Sequence, residues 1–444
     1  MSRTVCLNAY EGDNRRTQKD EFSDFRRARA RSLAAWYEIG FILLLFWVCD
    51  RSGLVATSSK DKQNIDVLYA TVLLLLLYNR NSVTPTSTHQ PLGREQTDET
   101  KGWMQIGFLL YHYFNVREMY IFVRVFIATY VWLTGFGNFS FYVCTNNFSG
   151  ERFIKMLWRL NFFVILMCLV MRNSYVLYYI CPLHTFYSIL IYFVLRAGHD
   201  WNSKSSLMWV KFAVCFLAMA LIWEIDGVSY FVFKPFTFIL GYRNPAARDL
   251  HVLHEWCFRA GLDRYIWIYG MMCAYARPRC LHAIAWMERH STTRKIMFYQ
   301  CTVALTSTIT LYFWYKVFGH MNRIEYNTWH PHTSWIPITA FFLLRNSTKS
   351  LREYHVAFFR ECGKTTLETY LAQFHIWLST GRVPDAQPKM LTCFVPGFPA
   401  TNFVLCTYVF VQVSQRAHLL TNELKDSLFA WKYHNEKITC PVNV

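Results

Sequence analysis

Five stretches of this 444-residue chain gather side chains able to move protons or hold anions. The densest is His254-Glu255-Trp256-Cys257-Phe258-Arg259-Ala260-Gly261-Leu262-Asp263-Arg264-Tyr265, where an imidazole, two carboxylates and two guanidinium groups open an apolar run. At helical spacing Glu255, Arg259 and Asp263 share a face, so they form a charge ladder that either locks two helices together or tunes a reactive site. A second stretch runs from Gly363-Lys364 through Glu368, Tyr370 and Gln373 to His375. Glu368 and His375 stand seven residues apart, which puts an acid and an imidazole on one stripe of a helix. A third, Trp329-His330-Pro331-His332-Thr333-Ser334-Trp335-Ile336-Pro337, reads as a rigid loop entering a span. Its His-x-His pair lacks the further ligands that a metal needs, so His330 and His332 fit general-base or proton-relay work better. Fourth, Tyr111-His112-Tyr113-Phe114 leads to Arg124, one turn inside the next apolar block, where a buried partner or an anionic substrate would suit the guanidinium. Fifth, Pro182 in Cys181-Pro182-Leu183-His184 frees a carbonyl one turn earlier, beside His184. His184 is then either a substrate contact or a satisfied histidine in a kinked helix. No GxSxG elbow, Walker A loop, HExxH or dinucleotide fingerprint occurs, so the expected chemistry is histidine-centred.

The elements that carry these residues are set by composition. Hydrophobic residues make up 53% of the chain and aromatics 18%, with only 17% charged. Apolar blocks fall at 36–49, 66–78, 103–115, 119–134, 156–171, 175–195, 207–224, 263–276, 296–318, 334–344, 365–379 and 397–418, with an interfacial or re-entrant stretch at 228–241. In lipid every backbone polar group must bond internally, so these blocks are helices or a closed barrel, and runs such as 72–77 show none of a barrel's alternation. The expected fold is an all-α polytopic bundle of about 10–13 transmembrane helices, some broken or re-entrant. A basic tail (1–35) precedes a single multi-pass domain (36–420) and a polar tail (421–444). No cleavable signal peptide is expected. The net charge of +17 sits mainly between blocks. That placement follows the positive-inside rule and argues for topology and lipid headgroups rather than nucleic acid. With the tail in the cytosol, loops 79–102, 135–155, 196–206, 277–295 and 345–364 share the cytosolic side. The fourteen cysteines form no CxxC pair and read as soft core residues.

Several long strings resemble the plant Reduced Wall Acetylation proteins. They include Lys101-Gly102-Trp103-Met104-Gln105, Trp132-Leu133-Thr134-Gly135-Phe136-Gly137-Asn138, Trp158-Arg159-Leu160-Asn161, Gly261-Leu262-Asp263-Arg264-Tyr265, His332-Thr333-Ser334-Trp335-Ile336-Pro337 and Leu367-Glu368-Thr369-Tyr370. The likeness covers about 100–425, and the same module resembles the multi-pass part of fungal capsule and animal sialic-acid O-acetyltransferases. It implies a Golgi membrane protein for O-acetylation of cell-wall polysaccharides, drawing on cytosolic acetyl-CoA. Cys257 departs from the family's usual histidine in that motif. The esterase-like lumenal domain of the animal and fungal relatives is not seen, so attachment to the final sugar is expected to involve a lumenal O-acetyltransferase partner. In this reading Arg and Lys of 277–295 and 345–364 dock acetyl-CoA. His254, His332 or His375 deprotonates the acceptor or carries the acetyl group, oriented by Glu255 or Glu368. Arg259 or Arg264 holds an anionic group or oxyanion, and the acceptor is a polysaccharide or an acetyl carrier. A pure acetyl-donor transporter and a scaffold for separate lumenal enzymes are the alternatives.

Overall fold

Apolar runs that must satisfy their own backbone become helices, and they account for nearly all of the regular structure. The computed structural model describes residues 29–59, 72, 83–86, 91–243, 248–381, 389–395 and 397–439. The expected block 66–78 lies outside these apart from residue 72, as does most of the basic tail. The helices are α1 (Arg29–Asp50), α2 (Arg94–Phe114), α3 (Tyr120–Thr145), α4 (Gly150–Met171), α5 (Ile180–Arg196) and α6 (Ser205–Trp223). After the short apolar turns of 228–240 come α7 (His254–Leu262), α8 (Ile266–His290), α9 (Thr293–Phe318), α10 (Arg323–Thr333) and α11 (Trp335–Arg345). The chain ends with α12 (Ala357–Lys364), α13 (Thr366–Ala372) and α14 (Pro399–Thr439). Among the described residues, five helices are long and apolar enough to cross a membrane by themselves: α1, α3 with the turn before it, α4, α6 and α9. The protein is an all-α polytopic membrane protein.

Two small antiparallel clips tie the helix ends at opposite faces. Strand β2 (Val83–Pro85) pairs with β3 (Tyr354–Val356), placing Thr84 opposite His355. At the other end β1 (Thr57–Ser58), β5 (Lys389–Leu391) and β4 (Leu378–Ser379) form a three-stranded ribbon in that order.

Close helix crossings set the frame of the interior. A methyl group added at Gly102 on α2 would lie 1.7 Å from the Phe359 carbonyl oxygen of α12, and one at Gly363 would lie 1.8 Å from that of Asp98. At the second crossing, methyl groups added at Gly135 of α3 and Gly270 of α8 would lie 2.1 and 2.3 Å from the carbonyl oxygens of Trp267 and Trp132. Backbones approach this closely in membranes only where the side chain is missing, because packing there depends on van der Waals contact. Large aromatic side chains fill the rest: Trp132 stacks on Phe136 and Phe342, and Trp377 on Phe410. By contrast α9 leaves Phe298, Leu305 and Phe313 more than 60% exposed, a surface suited to lipid.

Three sequence expectations change. The ladder of 255–263 stops at its second rung: Arg259 bonds Glu255 at 3.1 Å, but α7 ends at Leu262 and Asp263 turns inward to Arg124. The expected loop around His330 and His332 is helical, because α10 runs through Pro331 to Thr333. The stripe shared by Glu368 and His375 is broken by a π turn over Gln373–Trp377, which rotates His375 away from Glu368.

Candidate active site

Three cavities follow one another through the bundle. The first is a vestibule of about 870 Å³ formed by the starts of α2 and α4, the α12–α13 junction and the far part of α14. Eight Arg and Lys side chains line it against two carboxylates, Glu95 and Asp98. These come from separate helices: Arg94 and Lys101 from α2, Arg152, Lys155 and Arg159 from α4, Arg360 and Lys364 from α12, and Lys425 from α14. The floor is held by Glu368, fully buried, which accepts hydrogen bonds from both terminal nitrogens of Arg159 at 2.5 and 3.0 Å, with His418 3.5 Å away. At the rim Lys364 pairs with Glu361 at 2.8 Å, and that ammonium holds the Glu361 carboxyl below its usual range.

Arg94, Lys101, Thr134 and Arg152 also line an inner chamber of about 640 Å³ that reaches Gln105, Tyr130, His184, Arg277 and Tyr370. The Nδ1 of His184 lies 2.7 Å from Thr134 Oγ1, and Thr134 is also placed to donate to the Tyr130 carbonyl at 3.1 Å. With the hydroxyl proton given to that carbonyl, His184 donates from Nδ1 and keeps a lone pair on Nε2.

Tyr370 is the wall shared with an outer chamber of about 340 Å³, whose lining includes His112, Tyr120, Arg124, Tyr178, Tyr179, Arg259 and Thr380. The Tyr370 ring is buried, with the backbone N–H of Ile180, the first residue of α5, near its oxygen. Its own O–H has no acceptor among the described residues. A buried donor left unpaired is costly and calls for a ligand or a function. Arg124 forms a buried ion pair with Asp263, its Nε facing no acceptor among the described residues, while His330 Nε2 lies 3.5 Å from the second Asp263 oxygen and its Nδ1 meets the Tyr326 hydroxyl at 3.0 Å.

The candidates from the sequence therefore separate. His112, Arg124, His184, Arg259, Lys364 and Tyr370 line the three chambers. Asp263 and His330 stand directly behind Arg124, and Glu368 behind the vestibule. His254 lines none of the three; it lies near Tyr230 and stacks on Phe258. Arg264 and His332 form a separate half-exposed group around Glu224, with Arg264 bonding that carboxylate at 2.6 Å. Gln373 is buried, with neither amide atom partnered among the described residues. Glu255 and Glu368 bind guanidinium groups rather than a catalytic-candidate imidazole, so they do not orient one of those rings. Sequence reasoning passed over Asp50, Tyr178 and His418. Asp50 closes the first apolar block beside Arg51, where an acid looks like an ordinary membrane flank. In the fold it accepts a 2.7 Å hydrogen bond from His375, whose other nitrogen meets the Tyr178 hydroxyl at 2.6 Å.

A basic mouth that leads past buried histidines to a second polar chamber suits transfer of a group from an anionic donor. Sequence comparison agrees: the ten-transmembrane acyl transferase domain found in Cas1p matches residues 3–438. The chain belongs to that acyltransferase family. This membrane acyltransferase is also 32% identical over 410 residues to an N-acetylneuraminate (7)9-O-acetyltransferase of Danio rerio, a match covering 88% of this chain and 50% of that protein. The chain thus spans about half the length of the curated relative. No solved structure matches it.

Proposed function

We propose that this acyltransferase takes acetyl groups from acetyl-CoA at the basic face and delivers them to a sugar hydroxyl at the opposite face. Tyr370 carries the reading, because this residue borders both the chamber that opens to the vestibule and the chamber beyond and has a buried hydroxyl with no acceptor among the described residues. The vestibule's cations would hold the phosphates of CoA, and field focusing between low-dielectric walls raises the local concentration of such an anion. The acetyl end extends inward past Thr134 and His184. Tyr370 O–H and the guanidinium of Arg124, both on residues that line the outer chamber, would hydrogen-bond the carbonyl oxygen as negative charge develops on it, the largest single contribution in most acyl transfers. Aromatic rings around the outer chamber supply flat apolar faces for a sugar. The name of the zebrafish relative supports a sugar acceptor.

On this reading the basic vestibule faces the cytosol, as does the N-terminus, and the protein works in the Golgi membrane. The resemblance to plant wall-acetylation proteins supports cell-wall polysaccharide, reached directly, through an acetyl carrier or with a lumenal O-acetyltransferase partner. The test is the full chain in proteoliposomes, with acetyl-labelled CoA outside and trapped N-acetylneuraminic acid or a de-acetylated xylo-oligosaccharide inside. Labelled ester inside and free CoA outside is the expected result. Intact labelled acetyl-CoA inside would instead make the protein a transporter, and no label inside would leave the scaffold reading.

A further inference from the structure

We infer that Asp50, His375 and Tyr178 form the proton relay that receives the acceptor hydroxyl's proton in the outer chamber. The inference rests on the acetyl-transfer reading above.

The direction of the relay is written in its hydrogen bonds. Asp50, the last residue of α1, has a fully buried carboxylate that accepts from Ser379 Oγ at 3.0 Å and from the backbone N–H groups of Thr380 and Gly381 at 2.7 and 2.8 Å. So many donors favour the ionised form and leave the carboxylate to accept from His375 Nδ1 at 2.7 Å. With Nδ1 protonated, His375 presents a lone pair at Nε2, as in any imidazole whose other nitrogen is fixed by a carboxylate. Tyr178 stands 2.6 Å from that nitrogen. Its oxygen accepts from Asn173 Nδ2 at 2.9 Å, and the Asn173 amide is itself oriented by Arg51, which bonds Oδ1 at 2.8 Å. The Tyr178 proton therefore points to His375.

Placement completes the argument. Tyr178 lines the outer chamber and His375 does not, so the phenol is the group an acceptor meets. The π turn over Gln373–Trp377 aims His375 at Asp50, and such turns recur at functional sites. Asp50 could tie α1 to the 379–381 loop through its backbone bonds alone. A buried imidazole and phenol are costly additions in a membrane without a task.

In the step itself the acceptor O–H bond breaks, its proton passes to the Tyr178 oxygen and the Tyr178 proton passes to His375 Nε2. The acceptor oxygen forms the new C–O bond at the acetyl carbon. The C–S bond breaks with its electron pair on sulfur, and CoA leaves as thiolate, which takes a proton from water at the vestibule. The imidazolium, stabilised by Asp50, returns its proton through Tyr178 to water on the acceptor side. Tyr178 and His375 are the groups in the transfer; Asp50 is a positioning residue.

The experiment compares wild type with Tyr178→Phe, His375→Gln and Asp50→Asn in the reconstituted full chain, measuring kcat, KM for acetyl-CoA and direct CoA binding. Loss of a general base is expected to lower kcat about 10²–10⁴-fold in His375→Gln and Asp50→Asn. Tyr178→Phe should lose at least about 10-fold within the same range, while KM and CoA affinity stay within about threefold. A merely structural Asp50 would move CoA binding and kcat together. Tyr178→Phe, which deletes one oxygen, decides the matter if another variant fails to bind CoA. Wild-type kcat in His375→Gln or Tyr178→Phe overturns the relay. A wild type that binds CoA but transfers no acetyl overturns the transfer reading and the relay with it.

Discussion

The ion pair of Arg124 and Asp263 should be coupled far more strongly than its single members suggest. The two side chains are 5% and 0% exposed, and the pair joins the start of α3 to the α7–α8 junction behind the outer chamber. Asp263→Leu roughly keeps the volume but leaves a guanidinium whose Nε already lacks an acceptor among the described residues. Breaking a buried pair in this way costs about 3–5 kcal/mol. Arg124→Met is expected to cost less, about 1–3 kcal/mol, because His330 Nε2 remains 3.5 Å from the abandoned carboxylate and can carry a compensating proton. The double variant Arg124→Met/Asp263→Leu removes both charges, and apolar replacement of a buried pair is typically neutral to within about 1 kcal/mol or better. The cycle then yields a coupling of at least about 3 kcal/mol, at or above the upper end for residues in contact. Reversible unfolding in mixed micelles, followed by tryptophan fluorescence, measures all four proteins. Single effects that add to within about 0.5 kcal/mol, or Arg124→Met proving the costlier change, would refute the reasoning.

Three further outcomes can be checked. Arg152→Glu in the vestibule should weaken CoA binding about 2- to 30-fold at low salt, from twice the worth of an exposed charge, and the difference should shrink in about 1 M salt; calorimetric titration reads both. Gly363→Ala forces a methyl group against the Asp98 carbonyl and should destabilise by about 1–3 kcal/mol while loosening CoA binding, whereas Gly40→Ala, with open space around its Cβ and no place in the three chambers, should do neither; thermal unfolding with and without CoA separates them. His254→Ala should keep kcat within about twofold of wild type, since this imidazole lies outside all three chambers, and a large loss in the reconstituted transfer assay would return it to the mechanism.

Much of the fold was legible because lipid imposes a local rule: each apolar run must satisfy its own backbone, whatever surrounds it. The runs at 119–134, 156–171, 207–224 and 296–318 became α3, α4, α6 and α9 for that reason alone. The basic connections were readable only in part: of the cations in 277–295 and 345–364, Arg277, Arg360 and Lys364 line the vestibule or inner chamber, whereas Arg345 and Arg352 pair with Glu99 and Glu288. The strength of a buried charge as a signal held as well: Arg124, Asp263, His330, Glu368 and His375 are all interior.

Partnership was a different matter. Asp263 left its expected neighbour Arg259 for Arg124, 139 residues earlier, and His375 found Asp50 across 325 residues. One π turn separated Glu368 from His375, and no periodicity in the sequence announces the extra residue. By itself the sequence determined that the chain is a bundle of membrane helices with one basic side and ionisable groups in its interior, because hydrophobicity and charge act position by position. Only the tertiary structure decided which acid meets which imidazole and that Tyr370 stands between two chambers, because those relations depend on how helices distant in sequence cross.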